Sequence, residues 1–140
     1  MSGTIRFESV SVGDALPPLV KPPISRLQLA LFAGTSGDHN PIHVDDEAAK
    51  VGGLPGVIAH GMLNMAFLGQ LLTGWVPPNR LRAFSNRFAA MAYPGDVITL
   101  TGTVTAKKEE AGEKRVELEI FASNQKGDKL LVGAATVALD

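Results

Sequence analysis

The chain has 140 residues, enough for one domain with a sizeable hydrophobic core. Its net charge is −1 and no basic run exceeds two residues, which excludes the electrostatic footprint of a nucleic-acid binder. With no cysteine, disulfides, thiolate metal sites and cysteine nucleophiles are excluded together.

Residues 1 to 8 lack the apolar core of a signal peptide. The most apolar stretch, residues 57 to 72, is interrupted by His60, Asn64 and Gln70. It is also shorter than the roughly 20 apolar residues a membrane span requires. The expectation is a soluble, cytoplasmic protein with no membrane partner. Hydrophobic residues at 45% against 19% charged also point to a buried subunit interface.

Taken in order, residues 4 to 10 alternate loosely through Ile5 and Phe7 and predict a short first strand. Gly13-Asp14 and the prolines at 17, 18, 22 and 23 make the next section an extended connector. Ser25 followed by Gln28 is a Ser-x-x-Gln capping box, which opens a helix. Leu27, Ala30 and Leu31 supply its apolar stripe, and Gly34 with Gly37 ends it near residues 34 to 36.

Next comes Ser36-Gly37-Asp38-His39-Asn40-Pro41-Ile42-His43. Pro41 has no amide hydrogen and pushes Asn40 out of the helical region, so this is a fixed, irregular turn. Such a turn can aim a carboxylate and an imidazole five residues apart at one point, as general acid–base chemistry requires. Asp45 or Asp46 then caps a short helix through Glu47, Ala48, Ala49 and Lys50, and Gly52-Gly53 stops it. From Ile58 to about Thr73 the pattern predicts a helix apolar on nearly every face, hence buried.

The remainder alternates. Residues 81 to 91 form a candidate strand ended by Tyr93-Pro94-Gly95-Asp96, a type II turn. Over 97 to 106, Ile98, Leu100, Val104 and Ala106 oppose Thr99, Thr101, Thr103 and Thr105. Over 114 to 122, Val116, Leu118, Ile120 and Ala122 oppose Arg115, Glu117 and Glu119. Over 129 to 139, Leu131, Val137 and Leu139 share a side with Gly133 and Ala135. Three such segments joined by short polar loops read as antiparallel strands with one buried face. A helix needing cover and a meander able to give it imply an α+β domain, with the sheet wrapped around the helix. Residues 1–140 carry no repeat or linker that would mark a second domain.

Gly37-Asp38-His39-Asn40-Pro41-Ile42-His43 resembles the G-D-x-N-P-x-H signature of the MaoC-like dehydratases, or (R)-specific enoyl-CoA hydratases. Ala33-Gly34, Ile58-Ala59-His60-Gly61-Met62-Leu63 and Pro94-Gly95-Asp96 are similar to that family as well. Val12-Gly13-Asp14 and Asp45-Asp46-Glu47-Ala48-Ala49-Lys50 resemble the catalytic-subunit type of (3R)-hydroxyacyl-ACP dehydratase. The resemblance implies a single hot-dog domain with the long helix at its centre. It implies a dimer with an acyl-thioester tunnel near the subunit interface, either a homodimer or a heterodimer with another hot-dog chain. The implied reaction interconverts trans-2-enoyl and (3R)-3-hydroxyacyl thioesters of coenzyme A or acyl carrier protein, without a cofactor. Residue by residue, Asp38 and His43 match the catalytic pair. Gly61 matches the residue whose N–H polarises the thioester carbonyl, and Asn40 matches a structural brace of the turn.

Other readings were weighed against these. His39 occupies the variable position of the signature and reads as a semi-exposed spectator; His60 reads as a brace for the helix start. Asp38, His39, His43, Asp45 and Asp46 do not have the spacing of a compact ligand set, so no metal is expected. Arg80, Arg82 and Arg87 could meet the phosphates of a coenzyme A or carrier arm, but read more plainly as solvated or interface arginines. An acyl-thioester hydrolase and a non-catalytic partner subunit stand as competing functions. An Asp/His pair near C2–C3 argues against the first, and retention of both residues argues against the second.

Overall fold

The computed structural model describes residues 4–140. The chain enters not through a strand but through a 3₁₀ turn at Phe7–Ser9. Two alternating apolar residues are too few to hold a strand, and the Phe7 N–H is instead bonded to the carbonyl of Asp140 at 2.8 Å. The connector then touches the sheet edge twice. Ala15 makes an isolated bridge to Thr103, and β1 (Leu19–Val20) pairs with the strand at 99–100. Prolines on either side confine that ladder to two residues, as expected for an edge.

The first helix, α1 (Arg26–Ser36), begins as its capping residue dictates: Ser25 Oγ accepts the Gln28 N–H at 3.0 Å. Gly37 closes it in the left-handed region (φ 79°). Its buried face is a correction, because Leu29 and Ala33 are inside while Leu27, Ala30 and Leu31 face outward. Both faces carry apolar residues at helical spacing. What decides between them is the contact of Phe32 with His60, which turns the 29/32/33 side inward. The second helix, α2 (Asp46–Val51), is capped by Asp45, which accepts the N–H groups of Glu47 and Ala48. Asp46 instead accepts the Val57 N–H and pairs with Arg26.

The long helix, α3 (Gly61–Trp75), starts three residues later than the hydrophobic run predicts. Ile58 and Ala59 are held extended, their N–H groups bonded to the carbonyls of Ile42 and Ala92. Leu63, Phe67, Leu68, Leu71 and Leu72 are buried, but Met62, Ala66, Gln70 and Thr73 form an exposed stripe, so the helix is not covered all round.

Four strands follow: β2 (Leu81–Phe88), β3 (Thr99–Glu110), β4 (Glu113–Ser123) and β5 (Lys129–Leu139). They build one antiparallel sheet in the order β1-β3-β4-β5-β2, the α+β architecture expected from the alternation. β2 ends at Phe88, short of Met91, because the Ala89 and Ala90 N–H groups both turn to the Leu130 carbonyl. The Tyr93–Asp96 turn has Gly95 at φ 93° and the Asp96 N–H bonded to Tyr93 O, as the Pro-Gly pair predicts. The expected inward residues of β4 and β5 are buried except Gly133. Those of β3 are buried except Ala106. A register shift between Val104 and Ala106 pairs Ala106 with outward-facing Glu117, so the alternation flips there.

α3 lies on this buried face. A methyl on Gly102 would come within 3.3 Å of Ile120 and Leu16, whereas one on Gly69 would make ordinary contact with Phe84 at 3.5 Å. Gly133 serves the sheet itself, because a Cβ there would come within 2.5 Å of the Ser85 carbonyl. That oxygen is backbone and cannot swing away. Gly133→Ala is expected to cost about 2–3 kcal/mol, seen as a Tm lower by roughly 6–10 °C. An unchanged Tm would show that β2 and β5 separate freely at this point.

Candidate active site

The turn that carries Asp38 hangs between the end of α1 and a 3₁₀ turn at Pro41–His43. Each short polar side chain holds the backbone ahead of it. Ser36 Oγ accepts the Asp38 N–H (3.2 Å), Asp38 Oδ1 accepts the Asn40 N–H (3.3 Å), and Asn40 Oδ1 accepts the Ile42 N–H (3.3 Å). Asn40 is thus placed as a brace of the turn.

His43 is buried at 7% exposure, whereas the Asp38 side chain is half exposed. The His43 Nδ1 lies 2.7 Å from the carbonyl oxygen of Ile58. A carbonyl only accepts, so Nδ1 carries the proton, and in the neutral ring the lone pair is on Nε2. That Nε2 faces Asp38 Oδ2 at 3.6 Å. Two acceptors at this separation make no direct hydrogen bond and leave no room for a water between them, but a water seated beside the pair can donate to both.

His60 completes the group. It is fully buried, its Nε2 lies 3.3 Å from the Asp38 carbonyl oxygen, and its ring stacks on His43 with centroids 3.8 Å apart and planes 22° apart. Phe32 meets its edge at 4.9 Å. Burial, and secondarily the neighbouring His43, hold the His60 imidazole below its usual pKa, so it is neutral at pH 7. Nitrogen and oxygen atoms of Asp38, His43 and His60 come within 4.8 Å of one another. Stacked rings hold their lone pairs side by side rather than converging, which is poor geometry for a shared ion. His39, Asp45 and Asp46 stand outside this cluster; His39 is exposed and the two aspartates hold α2 and the 57 segment.

Gly61 is the first residue of α3, bonded to His60 and therefore fixed beside the same cluster. His60 occupies the N-cap position without a side-chain cap bond, and the Gly61 N–H has no partner among the described residues. A free amide at a helix N-terminus is a donor set in positive potential. The aromatic ring of Phe88 lies against Gly61, where a Cβ would come within 2.9 Å of Cε1. Sequence spacing gave no sign of that contact, nor of the Ile58 carbonyl, which is backbone.

Of the three arginines considered for phosphate, two are engaged within the chain. Arg80 pairs with Asp140, and Arg82 grips Glu113 through Nε (2.8 Å) and Nη2 (2.6 Å). With Arg115 on its other side, Glu113 is held down to about 2. Arg87 is exposed and has no ionic partner among the described residues.

The chain is similar to known proteins over most of its length. The model of the MaoC like domain matches residues 10–125. The (R)-specific enoyl-CoA hydratase of Rhodospirillum rubrum is 37% identical over 101 residues, which are 71% of this chain and 69% of that protein. The fatty acid synthase subunit beta of Aspergillus oryzae is 36% identical over 115 residues, 79% of this chain. The match spans only 6% of that synthase subunit, and similarly small shares of other long synthases. A solved MaoC-like dehydratase superposes with a TM-score of 0.89 at 33% identity, over 99% of this chain and 43% of that one. The (R)-hydratase from A. caviae involved in PHA biosynthesis gives 0.83 at 29% identity, over 95% and 99%.

Gly61→Ala must displace the Phe88 ring, which is 53% exposed and free to move. The variant is expected to fold with a loss of about 1 kcal/mol, roughly 3 °C in Tm. Adding Phe88→Leu should restore the Tm. A double variant no more stable than Gly61→Ala would show that this contact is not what requires glycine.

Proposed function

Because the chain belongs to the MaoC-like domain family, we propose that it is a hydro-lyase interconverting trans-2-enoyl and (3R)-3-hydroxyacyl thioesters. The carrier is coenzyme A or acyl carrier protein, and the reaction takes place in the cytoplasm. The observation that supports this most is the 3.6 Å gap between Asp38 Oδ2 and His43 Nε2, bounded by two acceptors. A water seated beside these two acceptors would give one hydrogen to each and leave its oxygen lone pairs facing outward.

In hydration that oxygen bonds to C3 as the C2–C3 π bond opens, and one water proton passes to the pair. The electron pair moves through C2 onto the thioester oxygen, where the Gly61 N–H stabilises the enolate. The proton then returns to C2 from the face on which the oxygen added; that face of C3 sets the (3R) configuration, and dehydration reverses each step. Burial of His43 beside an accessible Asp38 suits a site open to water on one side only. A thioester hydrolase is disfavoured because nothing aims the water at the carbonyl carbon that Gly61 would polarise.

The working unit is read as a dimer, either of two copies or with a second hot-dog chain. β2 is the outermost strand, and exposed Met62, Phe88 and Met91 lie on or near that edge. An eight-residue unpaired edge flanked by large apolar side chains calls for a partner. Sizing by light scattering should give twice the chain mass, and Phe84→Lys or Arg87→Pro in β2 should shift it toward monomer. A monomeric parent that is fully active would remove the dimer from the reading.

Activity is checked at the enoyl-thioester absorbance across short to long acyl chains, with chiral analysis of the product. Asp38→Asn and His43→Gln should each lose about 10²- to 10⁴-fold with native circular dichroism. Near-parental turnover in either variant, an (S)-product, or release of free thiol would each overturn the assignment.

A further inference from the structure

We propose that His60 is a positioning residue that sets both acid–base groups at once, through Asp38's backbone carbonyl and the face of the His43 ring. It rests on the hydratase reading above and adds a third side chain to that site. Three contacts carry it. The His60 Nε2 lies 3.3 Å from Asp38 O, the ring stacks on His43 at 3.8 Å, and Phe32 from α1 meets its edge. Among the described residues, the titratable groups that act on it are Asp38 and His43 themselves.

The position argues for the role as well. An N-cap favours Ser, Thr, Asp or Asn, whose oxygen ties down the first free amides of the helix. His60 makes no such bond and spends its ring on the catalytic turn instead. Donation from Nε2–H to the Asp38 carbonyl leaves the lone pair on Nδ1, which is buried without a hydrogen-bond partner among the described residues. Asn64, one turn along α3 and 2% exposed, brings a second unpartnered acceptor, Oδ1. Open hydrogen-bonding valences in a buried site cost stability, so an apolar ring of similar shape is the more stable choice here. A histidine kept in this place serves geometry at the expense of stability.

Two half-substitutions separate the contacts. His60→Phe keeps a ring face for His43 but has no donor for Asp38, and His60→Gln keeps a donor but no face. Each is expected to lower kcat on the order of 10²-fold, as misplacement by a fraction of a bond length does, with KM within about twofold. His60→Phe should at the same time melt no lower than the parent, an outcome that a purely structural histidine would not give. Parental kcat in both variants, or a kcat loss that merely tracks a lower Tm, overturns the proposal.

A measurement on the unaltered protein stands behind these should either variant fold poorly. A nitrogen-15 correlation spectrum of the His rings is expected to show His60 protonated on Nε2, and a proton on Nδ1 overturns the donation to Asp38. If Asp38→Asn and His43→Gln lose activity while the His60 variants do not, this inference fails and the hydratase reading stands. If the Asp38 and His43 variants stay active, the reading itself fails.

Discussion

One hydrogen bond, from the Nδ1–H of His43 to the carbonyl of Ile58, organises everything near the site. At 2.7 Å it fixes which ring nitrogen is protonated, and therefore which one faces Asp38. It also ties the Asp38–His43 turn to the segment that leads into α3. Because that carbonyl belongs to an extended residue, Ile58 cannot join the helix. Its N–H is bonded back to Ile42, one residue before His43, so turn and segment are laced in both directions. The late start of α3 at Gly61, which puts a free amide beside Asp38 and His43, follows from this lacing.

The second constraint is spatial. α3 sits on a sheet face where glycines stand at positions that side chains would fill, and the close approaches at Gly61 and Gly133 are both to β2 or its backbone. Phe84, pressed toward Gly69, and Phe88, over Gly61, pack β2 along the helix from its first turn to its middle. β2 therefore links the helix start, which holds the amide, to the outer edge of the sheet. A partner chain adding to that edge would bear directly on the strand that covers Gly61. Site and assembly meet on one element.

The alternating strands, the capped first helix, the proline-fixed turn and the general architecture were legible because each follows from local periodicity or local turn chemistry. The sequence reading erred where a choice depended on contacts between distant segments. The inward face of α1 was misassigned because Leu27/Leu31 and Leu29/Ala33 are equally apolar and only Phe32 against His60 distinguishes them. Ala106 was placed inside because a one-residue bulge after Val104 leaves no mark in composition. Residues 58 to 60 were read as helix because their apolar character continues that of α3, whereas backbone bonds to Ile42 and Ala92 hold 58 and 59 out of it. Asp38, His43, Asn40 and Gly61 were nominated by motif, and the structure brings them into one neighbourhood. The role of His60 was legible only as a histidine near a helix start.

The asymmetry of the Asp38–His43 pair has a physical consequence for how such a site works. His43 is buried, doubly held and stacked, so its ring has one orientation, while the Asp38 carboxylate is half in solvent and constrained mainly through its backbone. In the proposed hydration, water is taken up and released at every turnover, which calls for one rigid wall and one accessible wall. Burying both acceptors without a direct bond would be expensive, and exposing both would let the 3.6 Å gap drift. Holding Asp38 by its carbonyl, with a single Asn40 N–H on Oδ1, reconciles the two demands. The backbone is fixed, and both carboxylate oxygens keep lone pairs free for water. Positioning through the main chain is thus what allows an exposed carboxylate to remain in register with a buried imidazole.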